Sequence, residues 1–169
     1  DLNYKQALHY FQQSYKSTQY PMSLLGLGYC YSNLRELDPD GTKAFQCYTQ
    51  AYKAEVREAA YYLGFCYANG NGVQQDYNTA IQYFESCLSI DTFIGFASFG
   101  LGYCYEHLGN QYDLQAFNYF NQAYNYGIDA AASHLGFCYA VGKGVQQDFK
   151  QALKMYQESF NRKHNRLDA

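Results

Sequence analysis

The sequence predicts an all-α fold, an α-α superhelix built as a solenoid of about four stacked helical hairpins with repeats of 34–38 residues, and three observations carry that prediction. One pentapeptide pattern occurs four times, as Leu27-Gly28-Tyr29-Cys30-Tyr31, Leu63-Gly64-Phe65-Cys66-Tyr67, Leu101-Gly102-Tyr103-Cys104-Tyr105 and Leu135-Gly136-Phe137-Cys138-Tyr139, with glycines 36, 38 and 34 residues apart. A second series runs out of phase with it: Ala7, Ala44, Ala80, Ala116 and Ala152 recur at spacings of 37, 36, 36 and 36. Finally, residues 62–76 and 134–148 agree at 12 of 15 positions, including Gly-x-Gly-Val-Gln-Gln-Asp.

Each alanine is followed at its third and fourth positions by an aromatic or apolar pair, which is helical spacing. The pairs are Tyr10-Phe11, Cys47-Tyr48, Tyr83-Phe84, Tyr119-Phe120 and Met155-Tyr156. In chain order the pattern opens with an alanine-type helix (B) over about 3–17, then a Leu-Gly helix (A) over about 21–33. The segment Ser32 to Gly41 lacks the Gly-x-Gly-Val loop and leads into B over 42–54. A over 56–69 is joined by Gly70-Asn71-Gly72 to B over 76–90, which Asp76 caps. A over 94–107 passes through a second departing loop, His107 to Tyr112, into B over 113–126. A over 129–141 is joined by Gly142-Lys143-Gly144 to B over 148–161, capped by Asp148. The chain starts inside this pattern, so residues 1–169 read as a single array cut from a longer repeat protein.

A glycine inside a helix costs roughly 1 kcal/mol relative to alanine, so Gly28, Gly64, Gly102 and Gly136 imply that another helix approaches there. The leucine before each glycine and the tyrosine three residues after it share a side and, with the alanine series, form one apolar seam. One hairpin alone cannot bury such a seam; stacked neighbours can.

This pattern resembles the Sel-one-like repeat family, a branch of the tetratricopeptide-type helical solenoids. The resemblance rests on Ala59, Leu63, Gly64, Tyr67, Gly70, Gly72, Val73, Asp76, Ala80, Tyr83 and Phe84, and again on Ala131, Leu135, Gly136, Tyr139, Gly142, Gly144, Val145, Asp148 and Ala152. It covers roughly residues 3–161. It implies a stack in which the A helices line a concave groove. The positions six and three before and one and four after each Leu-Gly glycine then face that groove. Leu25, Tyr61, Phe99 and Ser133 stand in one row, with Tyr29, Phe65, Tyr103 and Phe137 beside them, and Glu58 and Glu106 add acidic ends. The competing expectation is that a tightly wound superhelix buries these rings against its own B helices.

Composition narrows the function. The chain is 48% hydrophobic and 16% charged, with 21 Tyr, 12 Phe and no Trp, so aromatic rings supply much of the packing surface. A net charge of -3 with scattered Lys and Arg gives no basic stripe for nucleic acid. The longest apolar runs fall short of the roughly 20 residues a membrane span needs, so no direct membrane insertion is expected.

Six cysteines raise the question of disulfides or metal. Cys30, Cys66, Cys104 and Cys138 take equivalent places in successive repeats, on helices whose axes pack roughly 8–10 Å apart, beyond the reach of a disulfide. Some secreted, cysteine-rich relatives tie the end of one B helix to the next A helix, but the residue opposite Cys87 would be near Ser98. There is no Cys-x-x-Cys and no His pair at helical spacing, so neither a metal nor a cofactor is expected. Six reduced, buried thiols fit a cytoplasmic protein. The Gly-x-Gly loops join helices and lack the strand context of a phosphate loop, so turn geometry explains them. His9, His107, His134 and His164 are isolated, with His134 read as a surface position, and no nucleophile or acid-base pair stands out.

The expected function is a protein-binding scaffold or adaptor, not an enzyme, that takes a protein or peptide partner in the aromatic groove. The alternatives are a rigid spacer within a larger assembly and a secreted, cysteine-rich effector or weak hydrolase.

Overall fold

A computed structural model describes residues 2–165, with side chains from Asn3 to Asn161. The predicted fold class is borne out. Among the described residues the chain is a succession of α-helices with two short 3-10 turns: α1 (Leu2–Thr18), α2 (Pro21–Asn33), α3 (Thr42–Lys53), α4 (Ala59–Asn69), α5 (Tyr77–Cys87), α6 (Ile94–Leu108), α7 (Asp113–Asn125), α8 (Ala130–Val141) and α9 (Phe149–Asn165). The 3-10 turns, Asp91–Phe93 and Asn110–Tyr112, lead into α6 and α7. The helices gather into two compact units that part between Cys87 and Leu88. In the first, each of α1 to α5 packs against its sequence neighbours; in the second, α6 to α9 do the same.

The Gly-x-Gly-Val-Gln-Gln-Asp motif acts as a helix stop, a tie and a helix start in seven residues. Gly70 ends α4 at φ +71°, a left-handed conformation that costs glycine nothing. Asn71 N–H then donates to the Cys66 carbonyl at 3.0 Å. Gln75 Nε2 donates to the Ala68 carbonyl at 2.8 Å, satisfying an acceptor that the helix end leaves open. Asp76 accepts from the N–H groups of Asn78 (2.9 Å) and Thr79 (3.2 Å) at the start of α5. Gly142, Lys143, Gln147 and Asp148 repeat all four roles between α8 and α9.

The two departing loops are rebuilt from other residues. Between α2 and α3, Leu34 is fully buried in the core, and the buried carboxylate of Asp38 accepts from the N–H groups of Lys43 (3.0 Å) and Ala44 (2.8 Å). Between α6 and α7 the chain turns at Gly109 and enters α7 through the Asn110–Tyr112 turn.

Candidate partner-binding surface

The aromatic rings divide into an inner and an outer set, and the repeated glycine decides which is which. A Cβ added to Gly28 would meet the Tyr48 ring at 2.5 Å; at Gly64 it would meet Phe84 at 2.9 Å, at Gly102 Phe120 at 2.7 Å, and at Gly136 Tyr156 at 2.9 Å. The missing side chain therefore makes room for the ring four residues after the alanine of the paired B helix. The residue three before the glycine closes on the same ring. Tyr61 lies 6.0 Å from Phe84 and Phe99 lies 5.7 Å from Phe120, centroid to centroid, while Leu25 packs against the core clusters around Leu27 and Tyr48. Leu25, Tyr61 and Phe99 are thus half-buried in packing between helices. Burial pushes the Tyr61 hydroxyl up to about 12.

The residue one after the glycine turns outward. Tyr29, Phe65 and Phe137 are 45%, 50% and 45% exposed. Within the first unit, Tyr29 makes edge contacts with Tyr4 and Tyr62 at 6.0 and 6.3 Å, leaving the rest of its surface to solvent. Tyr103, in the second unit, is half-buried beneath His107, whose ring lies 4.2 Å away.

The acidic ends differ in kind. Glu58 is half-buried at the start of α4. Glu106 is engaged: its Oε2 lies 3.2 Å from His134 Nδ1, and this hydrogen bond holds the carboxyl below its ordinary range despite partial burial, with Lys143 and His107 adding to the effect. His134 is accordingly not the surface residue its variability between repeats suggested. Its ring stacks 4.4 Å from Phe120 and meets Phe99 edge-on at 5.4 Å. The position two before the glycine faces the preceding B helix, as Tyr62 does when it stacks on Tyr48 at 4.8 Å. Where that residue is Gly26, the ring of Phe11 fills the space instead, 2.5 Å from an added Cβ.

All six cysteines are free thiols, five buried. Cys47 is only half-buried, a correction to the expectation of six buried thiols: it packs against the core cluster that includes Leu24 and Ala51 without being fully covered by it. The side chain of His164 lies outside the described ones. Among the described residues no three His, Cys, Asp or Glu side chains gather as metal ligands, and no helix is long and apolar enough to cross a membrane.

Comparison with known families gives a direct assignment. The model of the Sel1 repeat matches residues 2–18, 21–55, 57–86, 95–127 and 129–164, nearly the whole chain. The chain belongs to the Sel1 repeat family. Its fold is also similar to c5321, a protective antigen of uropathogenic Escherichia coli strains displaying an SLR fold (TM-score 0.71, 26% identity, covering 92% of this chain and 33% of that one). A Sel1 repeat protein from Oxalobacter formigenes aligns with TM-score 0.64 and 22% identity over 91% of this chain and 69% of its own. MamA aligns with TM-score 0.67 and 19% identity over 98% and 92%. The chain thus spans about a third of the length of the E. coli antigen. No curated protein matches it. Sel1 repeats form a non-catalytic fold, and proteins built from them are generally protein-interaction scaffolds.

Sequence reasoning passed over Met22 and Phe96. They occupy the position of Glu58, six before the glycine, and are 38% and 49% exposed. The offset that singled out Glu58 points to both.

Proposed function

We propose that this chain is an adaptor that holds a segment of a partner protein against the outward row of its A helices. The single observation that supports this most is the repeated exposure of a large ring one residue after the Leu-Gly glycine: Tyr29 and Phe65 on adjacent A helices of the first unit, Phe137 in the second. Placing such rings in water at equivalent positions costs burial energy that a partner recovers, and exposed aromatic rows of this kind mark interaction sites. Tyr29, Phe65, Tyr103 and Phe137 supply apolar contact and Glu58 offers a carboxylate to a cationic residue of the partner, while Leu25, Tyr61 and Phe99 hold the helices that carry the row. Within each unit an extended or helical peptide segment fits the two rings set on successive A helices, Tyr29 and Phe65 in the first and Tyr103 and Phe137 in the second.

The test is capture of a partner from the native source, followed by calorimetric titration of variants. Phe65→Ala and Phe137→Ala are each expected to weaken binding at least tenfold with unchanged helicity. Gln82→Ala and Asn118→Ala, on exposed B-helix positions, are expected to be neutral. Loss of binding in the B-helix variants alone overturns the reading and favours a scaffold that works from its other face.

A further inference from the structure

The residue five after the Leu-Gly glycine stands one helical turn beyond the outward ring, close enough to touch it. In α2 and α4 that residue is asparagine. Asn33 Nδ2 donates to the Tyr29 carbonyl at 2.8 Å and Asn69 Nδ2 to the Phe65 carbonyl at 2.9 Å, so each short amide folds back onto its own helix. The rings beside them are 45% and 50% exposed. In α8 the position is Val141, which has no donor, and Phe137 stays 45% exposed.

In α6 the position is His107. Its Nδ1 lies 2.8 Å from the Tyr103 carbonyl, which can only accept, so Nδ1–H donates the same bond that the two asparagines make. Behind that nitrogen is a ring in place of an amide, and it comes to rest 4.2 Å from the Tyr103 ring, tilted by 40°. Among Tyr29, Phe65, Tyr103 and Phe137, Tyr103 alone is half-buried. His107 is itself exposed, on the last turn of α6, so it covers Tyr103 without belonging to the core.

We propose that the residue five after the glycine is the specificity-determining position of the outward row, and that His107 there is a lid that withholds Tyr103. That role rests on the row being the partner-binding surface. The first unit offers two open rings, Tyr29 and Phe65, to a segment with two apolar anchors. The second unit takes a segment with one apolar anchor, for Phe137. A second anchor reaches Tyr103 only by displacing the imidazole from both the carbonyl and the ring, and that displacement weakens binding.

Hydroxyl-radical footprinting read by mass spectrometry reports ring exposure without any partner. In the natural chain Tyr103 is expected to oxidise more slowly than Tyr29. His107→Asn is expected to bring Tyr103 up to the rate of Tyr29, and Asn33→His to slow Tyr29 to that of Tyr103. Both positions are exposed, and circular dichroism checks the two variants; if one unfolds, the other decides. The binding probe is a phage-displayed pool of random peptides selected on the His107→Asn chain, keeping those that Phe137→Ala releases. These are expected to bind the natural chain about tenfold more weakly than His107→Asn, and to lose that difference when Tyr103→Ala is added to both. Unchanged Tyr103 oxidation in His107→Asn, or retained peptides that bind both chains equally, overturns the proposal. If the oxidation rates exchange as expected but neither Phe65→Ala nor Phe137→Ala releases any selected peptide, the row is not a partner-binding surface, and the specificity role falls with it.

Discussion

Gly144 lies against the backbone of Asp113, so close that a Cβ on it would stand 2.5 Å from the Asp113 carbonyl carbon. Gly72 meets Gly41 in the same way, at 2.7 Å from its carbonyl carbon. The second glycine of each Gly-x-Gly loop is therefore where one hairpin seats on the start of the preceding B helix, in addition to shaping a turn. The first glycine only shapes the turn: a Cβ on Gly142 would find ordinary contact at 3.4 Å, although its φ of +74° is strained for any other residue.

This separates two substitutions of identical chemistry. Gly142→Ala is expected to cost about 1–2 kcal/mol, the ordinary penalty of a left-handed alanine. Gly144→Ala carries the same penalty and adds about 1–3 kcal/mol of overpacking against backbone that cannot swing away. Denaturant unfolding of both variants measures the difference; equal losses would mean that the hairpins do not seat on this glycine.

Ala44, Ala80, Ala116 and Ala152 of the alanine series are buried in the helix packing. Ala116 is 2% exposed and packs with Phe120, Leu135 and Met155. Ala116→Phe is expected to lower stability by about 1–3 kcal/mol or more, and Gln74→Phe, on an exposed loop position, by less than about 0.5 kcal/mol. Thermal melts of the two variants side by side give the answer.

Thiol chemistry should follow burial. Burial pushes the Cys66 and Cys104 thiols up to about 12 and those of Cys47, Cys87 and Cys138 to about 11, and raises Cys30 as well. Thiolate is the reactive form, so at pH 8 the native chain is expected to react slowly with a disulfide reagent, Cys47 first because it is half-buried. In guanidinium without reductant all six are expected to react. A count of two or fewer there would show that disulfides exist and would revive the secreted alternative.

The Glu106 carboxyl gives stability a pH dependence of definite sign. Its native value is held below the ordinary one, first by the hydrogen bond from His134, so the native state favours the charged form. The resulting stabilisation is present above the unfolded value of about 4.3 and is lost as pH falls through the lower native value. Unfolding midpoints of the natural chain and of Glu106→Gln are therefore expected to differ at pH 6 and to converge as the pH falls from about 4.3 through the lower native value. A gap that stays constant across that range would show that the pair contributes no charge-dependent stability.

The fold was legible because its determinants repeat. Leucine, glycine and alanine at fixed offsets report the seam directly, and helix ends follow from the Gly-x-Gly loop and from Asp76 and Asp148. The loop around Asp38 was not legible, since a lone carboxylate six residues before Ala44 has no local signature until the chain folds back and brings two N–H groups to it. The candidate surface was legible in part. Helical periodicity selects a side of the A helix without saying how far the neighbouring B helix covers it. The ring volume opposite each glycine determines that, taking Tyr61 and Phe99 inward and leaving Phe65 and Phe137 outside. His134 could have been recognised from Tyr62, its counterpart, had the aromatic ring and the imidazole been treated as one kind of flat, stackable group.

Because each helix in a unit packs on the helices next to it in sequence, the loops that folding must close are short, and short loops cost little chain entropy. The topology is therefore one of fast, local assembly, in which any hairpin can serve as the first ordered piece and growth proceeds outward from it. Damage is equally local. A lesion at one joint, such as Gly144 on Asp113, is expected to fray its own end of the chain first, and hydrogen exchange at α9 would rise well before that at α6.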